Sequence, residues 1–131
     1  MSHKITIIKV RRTSGNDINK ELQWFGNSLG LFNQRDKDSS CFRVFITLIK
    51  KAKRNEVISS DQIAEKLRLS RGTVVHHLTK LIDSGIVVRE KGGYILREMD
   101  LSHLVKNLQK DMEAVISEIQ EVAKEIDEKL G

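Results

Sequence analysis

Residues 63–74 read IAEKLRLSRGTV, a stretch that predicts two short helices joined by a turn. Ser59 and Gln62 have the S-x-x-Q spacing of a capping box, so we expect the first helix to open there. Its inward side chains are then Ile63, Ala64 and Leu67. Ser70 can cap a second helix that begins at Arg71, and Gly85 suits the left-handed position that closes it.

Another helix comes before this pair, and a β-hairpin follows it. Apolar residues at i, i+3, i+4 and i+7 predict a helix from Cys41 to about Arg54. Its inward stripe is Phe42, Phe45, Ile46 and Ile49. The β-prone runs 86–90 and 94–97 are separated by Lys91-Gly92-Gly93, a spacing typical of a hairpin. Together these elements predict a winged helix-turn-helix, a mainly α fold with a small β-hairpin wing.

The same residues resemble a known family. Residues 63–74 are similar to the helix-turn-helix pattern of bacterial and archaeal transcription regulators. The run Thr73-Val74-Val75-His76-His77-Leu78, followed by Leu81 and Gly85-Ile86-Val87, resembles the ArsR branch of that superfamily. The resemblance covers residues 41–97 and implies a DNA-binding regulator, most commonly a repressor. Arg68 departs from the family, which commonly has Gly there; a left-handed Arg68 costs about 1 kcal/mol.

The remaining segments flank this domain, which we place at residues 41–98. Residues 1–40 are expected to contain a strand at Lys4–Val10, with Ile5 and Ile7 on one face, followed by a packed extension. In that extension, residues 16–33 predict a short helix and then an irregular packed segment, and residues 34–40 predict a polar loop. Residues 99–131 are expected to form a C-terminal coiled-coil helix.

Composition restricts the class of protein. The 131 residues are 39% hydrophobic and 31% charged, which is typical of a globular chain. Residues 1–100 carry 19 Lys and Arg against 11 Asp and Glu, a net charge of +8, whereas residues 101–131 carry 4 against 7, a net charge of −3. Basic domains most often face nucleic acid, and less often an anionic membrane. With one cysteine, no signal peptide and no apolar run of membrane-spanning length, we expect a soluble cytoplasmic protein.

The helix that begins at Arg71 carries the candidate base-reading residues. At 100° per residue, Val74, Leu78 and Leu81 share its inward side. The opposite half suits a major groove, and we expect base contacts from Arg71, Thr73, His76, Thr79 and Lys80. Ser70 and the first amides of the helix can hold a phosphate. Arg89 and Lys91 flank the tip of the wing, where DNA contact and ordinary solvated strand charge are both open interpretations.

No metal site or cofactor is expected. His76 and His77 would point about 100° apart on a helix and cannot easily share one ion. The Cys-x-Cys element and the Asp/His ligands of ArsR-type metal sensors do not appear as sets. We expect His77, beside the inward stripe, to be packed and hydrogen-bonded, and His76 to face outward. Cys41 is expected to be a small buried hydrophobe, a more common role than redox sensing.

A long helix, predicted from a cap at Ser102 to about Leu130, has an apolar heptad repeat. Its eight seam positions are Leu101, Val105, Leu108, Met112, Val115, Ile119, Val122 and Ile126. A 3.5-residue apolar period of this length favours a coiled coil between two copies of the chain. The alternative is that the helix folds back on its own domain, against the Trp24-Phe25 segment.

These features predict a sequence-specific transcription regulator, more commonly a repressor, that binds double-stranded DNA as a homodimer. The alternative is a winged-helix module that contacts proteins in a transcription or RNA-processing assembly. Such a module should have an apolar or acidic outer face on the helix that begins at Arg71, and this helix has neither. An enzyme is not expected, because the sequence shows no Gly-rich phosphate loop after a strand, no nucleophile elbow and no recognisable pair of carboxylates.

Overall fold

The computed structural model describes residues 4–12, 17–32 and 39–131. In these residues the helices are α1 (Ile18–Ser28), α2 (Ser40–Lys53), α3 (Ser60–Leu67), α4 (Arg71–Asp83) and α5 (Leu101–Leu130), and the strands are β1 (Val87–Glu90) and β2 (Gly93–Leu96). Helices α2 to α4 followed by the antiparallel β1–β2 hairpin form a winged helix-turn-helix, and the long α5 follows it. The predicted fold class is therefore confirmed.

Local capping explains where the helices of this motif begin and end. The Ser59 hydroxyl accepts from the Gln62 amide at 3.1 Å and the Gln62 side chain accepts from the Ser59 amide at 2.9 Å, which confirms the capping box. Ser70 caps α4 in the predicted way. Arg68 is left-handed (φ 57°) in the turn between α3 and α4, and Gly85 is left-handed (φ 77°) after α4.

The start of α5 differs from the prediction. Its N-cap is Asp100 rather than Ser102, and the Asp100 carboxylate accepts from the His103 amide at 2.8 Å. A charged acceptor two residues earlier in the chain caps the helix more strongly than a hydroxyl, because it also offsets the positive end of the helix dipole. Ser102 therefore lies inside the first turn.

The wing is a tight hairpin in which Val87 pairs with Leu96 and Glu90 pairs with Gly93. Its turn is Lys91-Gly92, so Gly93 belongs to β2 rather than to the turn. A third segment joins the wing: Ile58 and Tyr94 exchange backbone hydrogen bonds of 3.1 and 2.8 Å. This bridge anchors β2 to the segment between α2 and α3, a contact that sequence periodicity did not predict.

The core lies between α2, α4, the wing and the base of α5. The fully buried side of α2 is Cys41, Val44, Phe45, Leu48 and Ala52. The predicted stripe was therefore wrong by about one residue, since only Phe45 of it is fully buried. Phe42, Ile46 and Ile49 are half-buried on the flank, and Phe42 meets Phe32 edge to face at 5.4 Å between ring centroids. The N-terminal extension thus widens the apolar environment of α2 beyond one stripe.

The predicted strand at 4–10 is wrong, because none of these residues lies in a strand. The segment bonds instead to carbonyl groups of helix ends, with the Lys4 amide donating to Asp83 at 2.9 Å and the Ile8 amide to Ser28 at 2.8 Å. Ile5 is half-buried, but Ile7 is 56% exposed, so the two do not share a buried face. The short helix predicted within 16–33 is α1, and the irregular packed segment is 29–32, where Leu29 and Leu31 are buried. Most of the predicted loop at 34–40 lies outside the described residues.

Candidate nucleic-acid interface

Helix α4 has one side buried in the core and one side exposed to solvent. Val74, Leu78 and Leu81 are fully buried against the core, as predicted. The exposed side carries Arg71, Gly72, His76 and Thr79. Because the core holds about two turns of the helix from one side, the opposite side is presented as a polar surface on a supported helix. Side chains of these kinds can form hydrogen bonds and apolar contacts with base edges in the major groove of duplex DNA.

The first turn of α4 is arranged by Ser70 and Thr73. The Ser70 hydroxyl accepts from the Thr73 amide at 3.1 Å and donates to the Thr73 hydroxyl at 2.8 Å. Both side chains are therefore held in place, and the Thr73 oxygen keeps acceptor capacity. The positive end of the helix dipole lies at this exposed turn, where it favours an anion such as phosphate.

Arg71 is the most prominent cation of this turn. Its Nε lies 3.4 Å from an Asp61 carboxylate oxygen on α3, and the two side chains are 72% and 75% exposed. Exposed pairs of this kind are worth about 1 kcal/mol or less. The Arg71 guanidinium can therefore leave Asp61 for a base or phosphate acceptor at little cost in free energy. In the absence of such an acceptor, Asp61 orients the Arg71 side chain.

Lys80 lies apart from the other predicted base-reading residues. Its ammonium donates to the Leu31 carbonyl at 2.8 Å, and the residue is half-buried. The helical wheel put Lys80 on the outward half of α4, but the 29–32 segment covers that position. Thr79 is exposed, with its hydroxyl donating to the Val75 carbonyl at 2.9 Å, so it keeps a methyl group and acceptor capacity at the surface.

The two histidines have different environments. His77 is half-buried, and its Nε2 is 2.6 Å from the Ser40 hydroxyl at the start of α2, as expected for a packed and hydrogen-bonded residue. His76 is exposed on the outward side. Among the described residues, no group of three or more His, Cys, Asp or Glu side chains is placed to hold a metal ion. Cys41 is buried, and its thiol donates to the Leu31 carbonyl at 3.3 Å.

The wing carries the other two predicted contacts. Arg89 and Tyr94 are cross-strand partners, and the Arg89 guanidinium carbon lies 5.7 Å from the centroid of the Tyr94 ring. The ring supports the guanidinium while Arg89 stays exposed. Lys91 is exposed at the turn itself. The wing therefore presents two exposed cations, of which Arg89 is supported by the Tyr94 ring.

Arg43 braces the turn beside this site, a role that no sequence pattern predicted. Its Nη2 donates to the Leu67 carbonyl at 2.6 Å, at the C-terminal end of α3. The bond ties α2 to the turn that sets α4 against α3. A lone arginine on an amphipathic helix has no pattern that predicts such a contact.

Helix α5 divides into two parts. Leu104 and Leu108 are buried in the core, and Leu101 packs against it half-buried. From residue 113 onward every side chain is exposed, including the apolar Val115, Ile116, Ile119, Val122 and Ile126. The base of the helix is thus packed on its own domain, and residues 113–130 have an apolar side that the described part of the chain leaves uncovered. No helix in the described part of the chain is long and apolar enough to span a membrane.

A comparison with protein-family models matches residues 45–95 to a helix-turn-helix (HTH) domain. The match runs from the middle of α2 into β2 and includes all of α3 and α4. It supports a winged helix-turn-helix regulator, and the ArsR-like assignment remains a resemblance. An HTH domain indicates a DNA-binding regulator, and such domains are typically non-enzymatic. Comparison with curated proteins gave no match, and neither did comparison with solved structures.

Proposed function

We propose that this protein is a sequence-specific regulator of transcription that binds duplex DNA as a homodimer and acts as a repressor. The observation that carries the proposal is the presentation of α4. Its inward side is buried in the core, while Arg71, His76 and Thr79 are exposed on the outward side. This is the arrangement by which helix-turn-helix domains place side chains against base edges.

The exposed residues divide into two kinds of contact. Arg71 can donate two hydrogen bonds to the acceptors of a guanine, and Thr73, His76 and Thr79 can read neighbouring base pairs. Ser70, Arg89 and Lys91 are suited to phosphates, which fix orientation without reading sequence. We leave Lys80 out of the base-reading set, because its ammonium is bonded to the Leu31 carbonyl.

The exposed part of α5 is the proposed dimerisation surface, and its occupant is a second copy of the chain. Residues 113–130 extend roughly 27 Å at the rise of an α-helix. The seam is taken to run along Val115, Ile119, Val122 and Ile126. In this register Glu118 and Glu125 occupy the flanking position called g, and Ala123 and Leu130 occupy the flanking position called e.

The flanking residues favour a parallel pair. In a parallel coiled coil, a g residue faces the e residue five positions later in the partner helix. Glu118 would then face Ala123, and Glu125 would face Leu130. In an antiparallel pair g faces g, which would bring glutamates together. A parallel pair also leaves both α4 helices at the same end of the dimer, as a palindromic site requires.

In this proposal the protein represses transcription by occupying its operator. Two recognition helices about 34 Å apart would read the two halves of a pseudo-palindromic operator and block access to a promoter. Repression is also the commoner outcome in the ArsR-like regulators that the sequence resembles. The metal-sensing function of that branch is not carried over.

A protein-contact function is the second candidate, and the apolar side of α5, exposed among the described residues, is the observation that favours it. That surface would then receive a different protein. The exposed side of α4 argues for DNA, because it is polar and carries Arg71 rather than apolar or acidic side chains.

The experiment that tests the proposal is selection of bound fragments from a random duplex pool with the purified chain. We expect an enriched inverted repeat with half-site centres about one helical turn apart. Failure to enrich any sequence, at salt concentrations low enough for non-specific binding, would contradict a sequence-reading function.

A further inference from the structure

We propose that residues 4–12, here called the basic arm, form a second DNA-contacting element that binds phosphates beside the site read by α4. The inference rests on the proposed function and extends it. It assigns a role to a segment outside the helix-turn-helix and the wing. The arm has the sequence KITIIKVRR, with four cations and no carboxylate.

The arm begins beside the recognition helix. Its Lys4 amide donates to the Asp83 carbonyl in the last turn of α4 at 2.9 Å. Lys4 and Thr6 line an open cleft of about 340 Å³ together with His76 and Thr79. Since His76 and Thr79 belong to the exposed side of α4, the arm adjoins the surface that would meet DNA.

The arm is also held along its length. The Ile8 amide donates to the Ser28 carbonyl at 2.8 Å, and the Trp24 indole N–H donates to the Val10 carbonyl at 3.1 Å. Ile5 packs against the core. A chain segment fixed in this way loses little conformational entropy on binding, so its cations act as a preformed strip rather than as a loose tail.

All four cations of the arm, Lys4, Lys9, Arg11 and Arg12, are exposed. The Arg12 guanidinium carbon lies 5.8 Å from the centroid of the Trp24 ring. The ring can support the planar group while its N–H edge remains available to a phosphate. Asp83 lines the cleft next to Lys4, so repulsion from that carboxylate weakens a phosphate contact there. The contacts are therefore expected from Lys9, Arg11 and Arg12.

The length of the arm fits this role. Nine residues of extended chain span at most about 30 Å, and each strand of duplex DNA carries one phosphate per 3.4 Å or so of helix axis. The arm can thus follow several phosphates beyond the base pairs that α4 covers. It would enlarge the footprint and the electrostatic part of affinity without adding sequence preference.

The test compares two double variants with the same loss of charge. Lys9→Gln/Arg11→Gln removes two cations from the arm, and Lys110→Gln/Lys124→Gln removes two exposed cations from α5, at heptad positions facing away from its seam. Binding of each is measured across a salt series on a duplex that carries the selected site with flanking sequence. Thermal melting of both variants checks that the fold is kept.

The arm variant should bind about tenfold more weakly, with a salt slope smaller by about 1.8, as expected for two lost phosphate contacts. Hydroxyl-radical footprinting should show lost protection at the flank of the site. The α5 variant should match the original protein. Equal affinity, slope and footprint for the arm variant, or an equal loss in both variants, would overturn the inference while the proposed function stands. Failure of the unmodified chain to bind any duplex would overturn both.

Discussion

Arg97 and Asp111 form a bidentate ion pair that joins the end of the wing to α5. The distances are 2.6 Å from Nη1 to Oδ2 and 3.3 Å from Nη2 to Oδ1. The hydrogen bond with Asp111 raises the pKa of Arg97 above its ordinary value. The Asn107 amide donates to the Glu98 carboxylate and makes a second link between the same two elements. The direction in which α5 leaves the domain is therefore tied to the wing.

A double-mutant cycle of Arg97→Gln and Asp111→Asn tests this connection. Both side chains are about one-third exposed, so we expect a coupling free energy of about 1 kcal/mol rather than the larger value of a buried pair. Urea denaturation of the four proteins measures it. Additive effects of the two substitutions would show that the pair contributes nothing to stability.

The cap of α5 gives a prediction for acid pH. The amide and imidazole of His103 donate to the Asp100 carboxylate and lower the pKa of Asp100 from its ordinary value of 3.8. Its stabilising effect is complete above pH 3.8 and is lost as pH falls through the lower pKa of the folded state.

Asp100→Asn keeps an acceptor oxygen but cannot titrate. The difference in unfolding free energy between the original protein and this variant should shrink as the pH is lowered below 3.8. At neutral pH, Asp100→Ala should lower the melting temperature and Ser102→Ala should not, since Ser102 is not the cap. A larger effect of Ser102→Ala would contradict the structure.

Two adjacent glycines of the wing should respond differently to alanine. A Cβ at Gly93 would lie 2.2 Å from the Ile58 carbonyl oxygen, whereas a Cβ at Gly92 would meet nothing within 4 Å. Both have positive φ, so Gly92→Ala should cost about 1 kcal/mol from backbone strain alone. Gly93→Ala should cost about 3 kcal/mol or more, because it also breaks the bridge to Ile58. Equal losses in chemical denaturation would refute the close approach.

The proposed division between base and phosphate contacts can be tested with Arg71 and Lys91. Arg71→Ala should lower affinity for the selected site by about 1 to 3 kcal/mol and relax preference at one base pair. Lys91→Ala should weaken binding to selected and random duplexes alike, and should reduce the salt slope by about 0.9. Competition binding across a salt series measures both effects. The same loss on both kinds of DNA from both variants would refute the division.

The coiled-coil proposal predicts that one charge placed on the seam separates the dimer. Ile119→Lys puts an ammonium at a seam position, where it would be buried against the partner helix. Ser117→Lys puts the same charge on the opposite, solvent-facing side of α5 and serves as the control. Sedimentation equilibrium should give a monomer for the first variant and a dimer for the second. A dimer in both cases would locate the interface elsewhere.

Features with local causes were predictable from the sequence. The cap at Ser59, the cap at Ser70 and the left-handed Gly85 each depend on residues within a few positions, so the motif's helix boundaries followed directly. The buried side of α4 was likewise predictable, because its apolar residues recur with the 3.6-residue period of an α-helix.

Features set by distant contacts were not predictable in this way. The β-branched residues of 4–10 indicate strand propensity, but a strand needs a partner edge, and the amides of Lys4 and Ile8 bond to helix-end carbonyls instead. Lys80 is outward on a helical wheel, and the distant Leu31 carbonyl is what draws it inward. The same holds for the bridge between Ile58 and Tyr94.

The most direct test of the account is the number of chains bound to one duplex carrying the selected inverted repeat. Sedimentation equilibrium of the complex, with the duplex labelled, measures that number. The account predicts two chains per duplex, formed from a dimer that already exists without DNA. One chain per duplex, or no complex at low salt, would contradict it.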